Sequence, residues 1–180
     1  MLDIAEASLG GMETGTQSSR RMSFKVIWED AKESSRVKDC DYETSIPDGF
    51  FVYVKYVAFE RVLENLIINA MDAMKDQAQK LIQLNCSHQN IDGKEAAYFE
   101  FKDSGHGIPK EIQEKIFEEG FSTKAQPDMK DLTASGYGQG LYVCKYNIEH
   151  VHQGKIWVES GPGQGAVFKF WIPMQTQNNS

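Results

Sequence analysis

Residues 64–74 read ENLIINAMDAM. The apolar positions carry helical spacing, yet Asn65 and Asn69 stand one turn apart among them. Asparagine is a poor helix former because its amide competes for nearby backbone groups. On a helix, positions i and i+4 share a face, so the two amides can aim their oxygens at one point. Amide oxygens suit a hard cation such as Mg2+, which keeps several waters and takes further ligands from phosphates. A plainer use of the pair is to bond local backbone or to cap a kink, and the pair alone does not choose between these.

Two later stretches carry related chemistry. DSGHGIP, residues 103–109, sets Asp103 at the end of a strand-like run, then Gly105 and Gly107. Glycine permits positive φ and close approach to a ligand, and a carboxylate there can accept a hydrogen bond from an exocyclic amine. GYGQGLYV, residues 136–143, is glycine-rich and runs straight into a helical pattern. Backbone N–H groups at a helix N-terminus form an anion site suited to phosphates. No Gly-Lys-Ser/Thr follows, so this is not the P-loop pattern. Taken singly, each motif is also compatible with an ordinary turn or loop.

These residues need a scaffold, and the rest of the chain supplies one. Leu2, Ala5 and Leu9 share a helical face before Gly10 and Gly11, so residues 2–9 read as the tail of a helix, followed by a linker. Residues 23–35 read as a helix with Ser23 as N-cap and Val26, Ile27 and Ala31 facing inward. Residues 39–46 and 50–54 read as strands joined at Pro47-Asp48-Gly49, a hairpin. The asparagine helix spans 56–78. Strands follow at 80–88 and 96–103, then a short helix over 109–118 with Pro109 in its first turn. Residues 119–139 are rich in Gly, Pro and Ser without clear periodicity, as functional loops are. A helix over 140–150, strands at 155–160 and 166–173 and a polar tail complete the chain. Helices and strands mix without strict βαβ alternation. The fold expected is an α/β (α+β) two-layer sandwich, with a mixed, mostly antiparallel sheet and helices on one face.

Composition bounds the function. With 180 residues, 41% apolar and 25% charged, the chain is sized for one domain with a real core. A net charge of −7 without a basic cluster argues against nucleic acid or an anionic membrane as main partner. No apolar run is long enough to span a bilayer, and no secretory leader is expected. Cys40, Cys86 and Cys144 share no motif spacing and read as reduced thiols of a cytosolic protein. His88, His150 and His152 read as surface residues, and His106 as a passenger in its turn.

The order of the motifs resembles the GHKL ATPase superfamily, which has the Bergerat fold. Within it, the chain looks like the catalytic, ATP-binding domain of a bacterial sensor histidine kinase, from about Ser23 to Pro173. IFEEGFSTK at 116–124 resembles that family's phenylalanine box, and GKIWVESGPGQGAVFKFWIP at 154–173 its closing hairpin. The resemblance implies that Asn69 binds Mg2+ and that Asn65 supports the metal or the phosphates. Asp103 would read the adenine amino group, with Gly105 and Gly107 shaping that pocket. Phe117 and Phe121 would anchor a flexible ATP lid over 122–139, and Gly136, Gly138 and Gly140 would wrap the phosphates. Ile108, Thr123, Tyr137, Gln139 and Leu141 complete the implied nucleotide set. Many family members have Lys or Arg three residues after the metal Asn. Here that position is Asp72, and Lys124 is the candidate replacement at the γ-phosphate. Asn65, Asn69 and Lys124 are thus the candidate catalytic residues.

The resemblance further implies transfer of the γ-phosphoryl of Mg-ATP to a histidine. None of the chain's four histidines has the acceptor context, so the acceptor is expected on a dimerisation hairpin outside this chain, with a response regulator downstream. The domains expected are 1–22 as preceding helix end and linker, 23–174 as catalytic domain and 175–180 as tail. The fragment is expected to be monomeric and to act in the cytoplasm, whether or not the full-length protein is membrane-anchored. An anti-sigma-type protein-serine kinase and a non-catalytic ATP-binding module are the alternatives within the same superfamily.

Overall fold

The computed structural model describes residues 18–122 and 139–174. The helix expected at 2–9, the tail and most of the proposed lid lie outside these residues. Seven strands and three helices are described in chain order: β1 (Arg20–Ser23), α1 (Phe24–Ser35), β2 (Asp41–Ser45), β3 (Phe51–Val54), α2 (Tyr56–Ala73), β4 (Leu81–Ile91), β5 (Lys94–Asp103), α3 (Gly140–Lys145), β6 (Lys155–Ser160) and β7 (Ala166–Pro173). Five strands form one sheet in the order β2-β4-β5-β7-β6. Only the β2–β4 pair is parallel. The mixed, mostly antiparallel sheet expected from the sequence is present.

Period-two alternation sets the two faces of this sheet. Along β7, Ala166, Phe168, Phe170 and Ile172 are buried, and along β5 the matching set is Ala97, Phe99, Phe101 and Asp103. Phe99 lies opposite Phe170 in register, with the rings stacked at 4.7 Å. Phe24 of α1 and Phe59 of α2 pack onto Phe99 from the helical layer. Charged residues occupy the other face, where Lys169 pairs with Glu159 at 2.7 Å and Glu100 at 3.7 Å. One consequence matters for function. Asp103 is the last residue of β5 and falls on its apolar face, so the strand's own alternation drives a carboxylate into the core.

Several expectations are corrected by the pairing. β3 does not form a hairpin with β2; it pairs antiparallel with β1, and β2 pairs with β4. The Pro47–Gly49 turn forms, with Phe50 N–H bonded to Pro47 O and Gly49 at φ +66°. Its role is to carry the chain from one sheet to the other, because Val52 and Val54 are fully buried whereas β2 is largely exposed. The β1 pairing also takes Arg20–Met22 into the folded unit, where a linker was expected. Ser23 stands at the N-cap of α1 but makes no side-chain cap bond; Phe24 N–H is bonded instead to Phe50 O at 3.0 Å. Val26 is 52% exposed rather than inward, and Phe24 and Trp28 take its place in the core.

Helix α2 ends at Ala73, five residues earlier than its pattern suggests. The reason lies across the structure: the Ala73 carbonyl accepts the His106 N–H at 3.2 Å, and Gln77 N–H turns back to Met74 O. The single helix expected over 109–118 is two 3-10 turns, Lys110–Ile112 and Lys115–Phe117. Helix α3 continues as a π-helical turn over Tyr146–Val151.

His152 is buried at 7% exposure, against the surface position expected. Its Nε2 accepts the Lys55 N–H at 3.1 Å, ahead of α2, and its Nδ1 meets Asn147 O at 2.6 Å. Only the neutral ring protonated at Nδ1 satisfies both. Burial lowers its pKa from 6.5, outweighing the Asn147 acceptor, and Lys55 lowers it further. A base with a depressed folded pKa contributes stability above 6.5 that is lost as pH falls below it. Urea denaturation between pH 7.5 and pH 5 should therefore show a loss of stability that a His152→Gln variant lacks. An equal loss in both proteins would assign the acid sensitivity elsewhere.

Candidate functional site

The end of α2, the start of α3 and the loop after β5 enclose a cleft of about 740 Å³. That volume suits a nucleotide-sized ligand. Ile108, Ile112, Ile116, Leu141, Ala166 and Phe168 give it an apolar lining; Asn69, Asp72, Lys75, Asp103 and His106 supply polar groups. Asp103 is 2% exposed, while Asp72, Lys75 and His106 are exposed. The cleft thus runs from a buried carboxylate to a polar, open mouth.

Asp103 Oδ1 accepts the N–H groups of Gly105 at 2.8 Å and Ala166 at 3.2 Å. Burial nevertheless raises its pKa above 3.8; the two N–H donors and His106 only partly offset that. Gly105 and Gly107 are both required by sterics. A Cβ on Gly105 would come within 2.7 Å of Ala73 Cβ, and one on Gly107, at φ +78°, would strike Gly161 O. The loop is therefore wedged between the end of α2 and the β6–β7 turn.

The two asparagines share a face as their spacing predicts, but they turn one oxygen and one nitrogen, not two oxygens, toward the same neighbour. A Cβ on Gly140 would lie 3.5 Å from both Asn65 Oδ1 and Asn69 Nδ2. The first residue of α3 thus lies beside both amides, at a distance where a Cβ would make ordinary van der Waals contact with them. Asn69 Nδ2 is buried without a hydrogen bond among the described residues. An unmet buried amide costs roughly 1–3 kcal/mol, so a ligand that satisfies it gains accordingly. Among the described residues no cluster of His, Cys, Asp or Glu could hold a metal. Of the two amide atoms beside Gly140, Asn65 Oδ1 is an acceptor that suits a hard cation or its water, and Asn69 Nδ2 is a donor that suits a phosphate oxygen; the Asn69 amide oxygen is the atom that would ligate a cation.

The other residues singled out by sequence fall into place unevenly. Ile108 and Leu141 line the cleft. Phe117 is buried edge-on to Phe168 at 6.4 Å, and Phe121 packs against the core from a partly buried position, so both hold the outgoing chain to the domain. Gln139 is the N-cap of α3, without a side-chain cap bond. Thr123, Lys124, Gly136, Tyr137 and Gly138 lie outside the described residues. The sequence reading missed Ala73, Lys75, Pro109, Ile112, Ile116, Ala166 and Phe168, which also line the cleft. Ala166 and Phe168 belong to β7's apolar alternation, which signals core and says nothing of a cavity beside it. Asp72 lines the cleft as well, at the position where a cation was sought.

Residues 55–176 match the family described as histidine kinase-, DNA gyrase B-, and HSP90-like ATPase. The chain is 37% identical over 123 residues to the adaptive-response sensory kinase SasA of Crocosphaera subtropica, an alignment covering 68% of this chain and 29% of that protein. The chain therefore spans less than a third of this relative. Among solved structures, the nucleotide-free catalytic domain of histidine kinase ThkA superposes with a TM-score of 0.65 at 27% identity, covering 87% of this chain and 95% of that one. Histidine kinase ThkA in complex with the response regulator protein TrrA matches with a TM-score of 0.68 at 22% identity over 97% of this chain and 48% of that one. No described helix is long and apolar enough to cross a membrane. The chain belongs to the histidine kinase-, DNA gyrase B- and HSP90-like ATPase family, with the fold of a histidine kinase's ATP-binding catalytic domain.

Proposed function

We propose that this chain is the ATP-binding catalytic domain of a two-component sensor histidine kinase, and that it transfers the γ-phosphoryl of Mg-ATP to a histidine on a dimerisation hairpin outside this chain. The observation that carries the reading is the arrangement of one cleft: the buried Asp103 carboxylate within it, and the Asn69 amide nitrogen, without a hydrogen bond among the described residues, beside Gly140 at the head of a helix. Adenine offers an amine to Asp103, and the triphosphate reaches the α3 N-terminus and the asparagines. Asn69 would hold Mg2+ through its amide oxygen and offer its N–H to a phosphate, with Asn65 beside it; the ion, when bound, would neutralise phosphate charge.

Catalysis then rests on positioning and charge. Hydrolysing relatives of the superfamily place a glutamate four residues before the metal asparagine to activate water. Here that residue is Asn65, which has no basic lone pair to offer. Glu64 lies about 100° further around the helix and does not line the cleft. Water is thus a poor acceptor, and the P–O bond to ADP breaks as a P–N bond forms to the acceptor imidazole. Lys124, with Thr123, Gly136, Tyr137 and Gly138 of the lid over 122–139, would close on the phosphates. The catalytic unit is taken as 23–174, extended by β1, with 1–22 otherwise leading from the hairpin and 175–180 a tail. A response regulator is the proposed downstream partner, in keeping with the ThkA complex, and the fragment is proposed to be monomeric and cytoplasmic.

Incubation with γ-labelled ATP and a supplied cognate hairpin tests this. Acid-labile, base-stable label should appear on the hairpin only when its histidine is present. Label on this chain alone would refute external transfer, and rapid phosphate release to water would move the chain to the hydrolysing branch.

A further inference from the structure

The loop that carries Asp103 is not held by secondary structure alone. Ile108, whose side chain lines the cleft, has both backbone groups tied by side chains from elsewhere. Its N–H donates to Ser160 Oγ at 2.7 Å, and its carbonyl accepts from Gln113 Nε2 at 2.9 Å. The same Gln113 amide donates to the Ser160 carbonyl at 2.8 Å, so both its hydrogens are used. The Ser160 hydroxyl in turn donates to Gly165 O at 2.6 Å. The next residue, Ala166, donates its N–H to Asp103 Oδ1. The chain of bonds therefore closes: from the end of β6, across the β6–β7 turn, to the carboxylate and back through the loop.

Neither Ser160 nor Gln113 lines the cleft. We infer that Ser160 and Gln113 are positioning residues for base recognition, fixing Ile108 directly and the Asp103 carboxylate through Gly165 and Ala166. This rests on the proposal that Asp103 reads adenine. A carboxylate that discriminates by one hydrogen bond must be held to within a fraction of an ångström, and its neighbours supply that precision. The burial of Asp103 adds to the demand, since a buried group cannot fall back on water. The phosphate end is built on α2 and α3, which these bonds do not touch. Loss of the clamp should therefore damage recognition of the base and spare the triphosphate.

The test is calorimetric titration of Mg-ATP, Mg-GTP and inorganic tripolyphosphate into wild type, Ser160→Ala, Ser160→Thr and Gln113→Met, each confirmed folded by circular dichroism. Ser160→Ala should weaken ATP about tenfold, leave tripolyphosphate unchanged and lower the ATP-to-GTP preference by the same factor. Ser160→Thr keeps the oxygen and should restore most of it. Gln113→Met should act in the same direction. In the transfer assay, KM for ATP should rise while kcat at saturation is kept. Equal weakening of ATP and tripolyphosphate would make the clamp a general structural support and overturn the inference. So would an undiminished ATP-to-GTP preference. If Ser160→Ala does not fold, Gln113→Met decides by the same criteria. A wild type that does not prefer ATP to GTP would remove the adenine reading itself, and this inference with it.

Discussion

Asp103→Asn should weaken ATP binding roughly 100-fold, close to 3 kcal/mol, and erase any preference for ATP over GTP. The substitution is nearly isosteric and keeps one oxygen to accept the Gly105 and Ala166 N–H groups, so the loop retains its anchor. What changes is the second atom, which becomes a donor facing the adenine amine. Two donors cannot pair, and a buried mismatch is penalised more than a lost surface contact. Guanine presents an acceptor at the corresponding position, so GTP should lose less. The wild type should also lose ATP affinity on acidification. Burial raises the Asp103 pKa above 3.8, so the carboxylate that must accept the amine is protonated at a higher pH than an ordinary aspartate. The sign for stability is opposite: a raised carboxyl pKa means the protonated form favours folding, a contribution present below 3.8 and lost as pH rises through the folded value. Competition titrations with ATP and GTP at pH 7.5 and pH 5.5 check both parts. An Asp103→Asn protein with unaltered selectivity would exclude Asp103 from base reading.

Asn69→Ala should abolish most of the Mg2+ dependence of ATP binding while leaving the free protein no less stable. The two halves have different causes. The side chain proposed to hold the ion is removed, so titrations with and without Mg2+ should converge. Yet the amide nitrogen is buried and has no hydrogen bond among the described residues, and alanine is the better helix former. Truncation therefore exchanges a buried unmet donor for nothing, with an expected gain of up to about 1 kcal/mol in unfolding free energy. Higher stability with lost function is the pattern of a residue retained for a ligand. A large destabilisation would place Asn69 in the packing instead, and retained Mg2+ dependence would remove it from the metal site.

Much of this architecture was legible because local and global signals agreed. The alternation in AVFKFWIP fixed both the strand β7 and its inward face, and ENLIINAMDAM announced a helix with an odd pair of amides on one side. Two motif glycines were readable because each answers a steric demand; Gly107 has a positive φ, and Gly105 is wedged against Ala73. What failed was long-range. Nothing in residues 41–54 tells β3 to leave β2 for β1, since turn chemistry at Pro47–Gly49 specifies a reversal and not a partner. His152 gave no signal either, because its burial depends on a backbone N–H of Lys55 nearly a hundred positions away. The early end of α2 was hidden for the same reason: the Ala73 carbonyl is claimed by His106, from another loop. Cleft-lining residues such as Ile112 and Phe168 look like core in sequence because a binding cleft here is core with one side left open.

Amide NMR on the nitrogen-15-labelled chain reads directly where the nucleotide sits. On titration with Mg-ADP, the backbone signals of Gly105, Gly107, Ile108, Gly140 and Ala166 and the Asn69 side-chain amide should shift together, with one common affinity. The second, polar cleft of about 350 Å³, between Lys38–Asp41 and Gln77–Lys80, provides the internal control and should stay still. Shifts centred on that second cleft, with Asn69 and Ala166 unmoved, would contradict the placement of ATP between Asp103 and the paired asparagines.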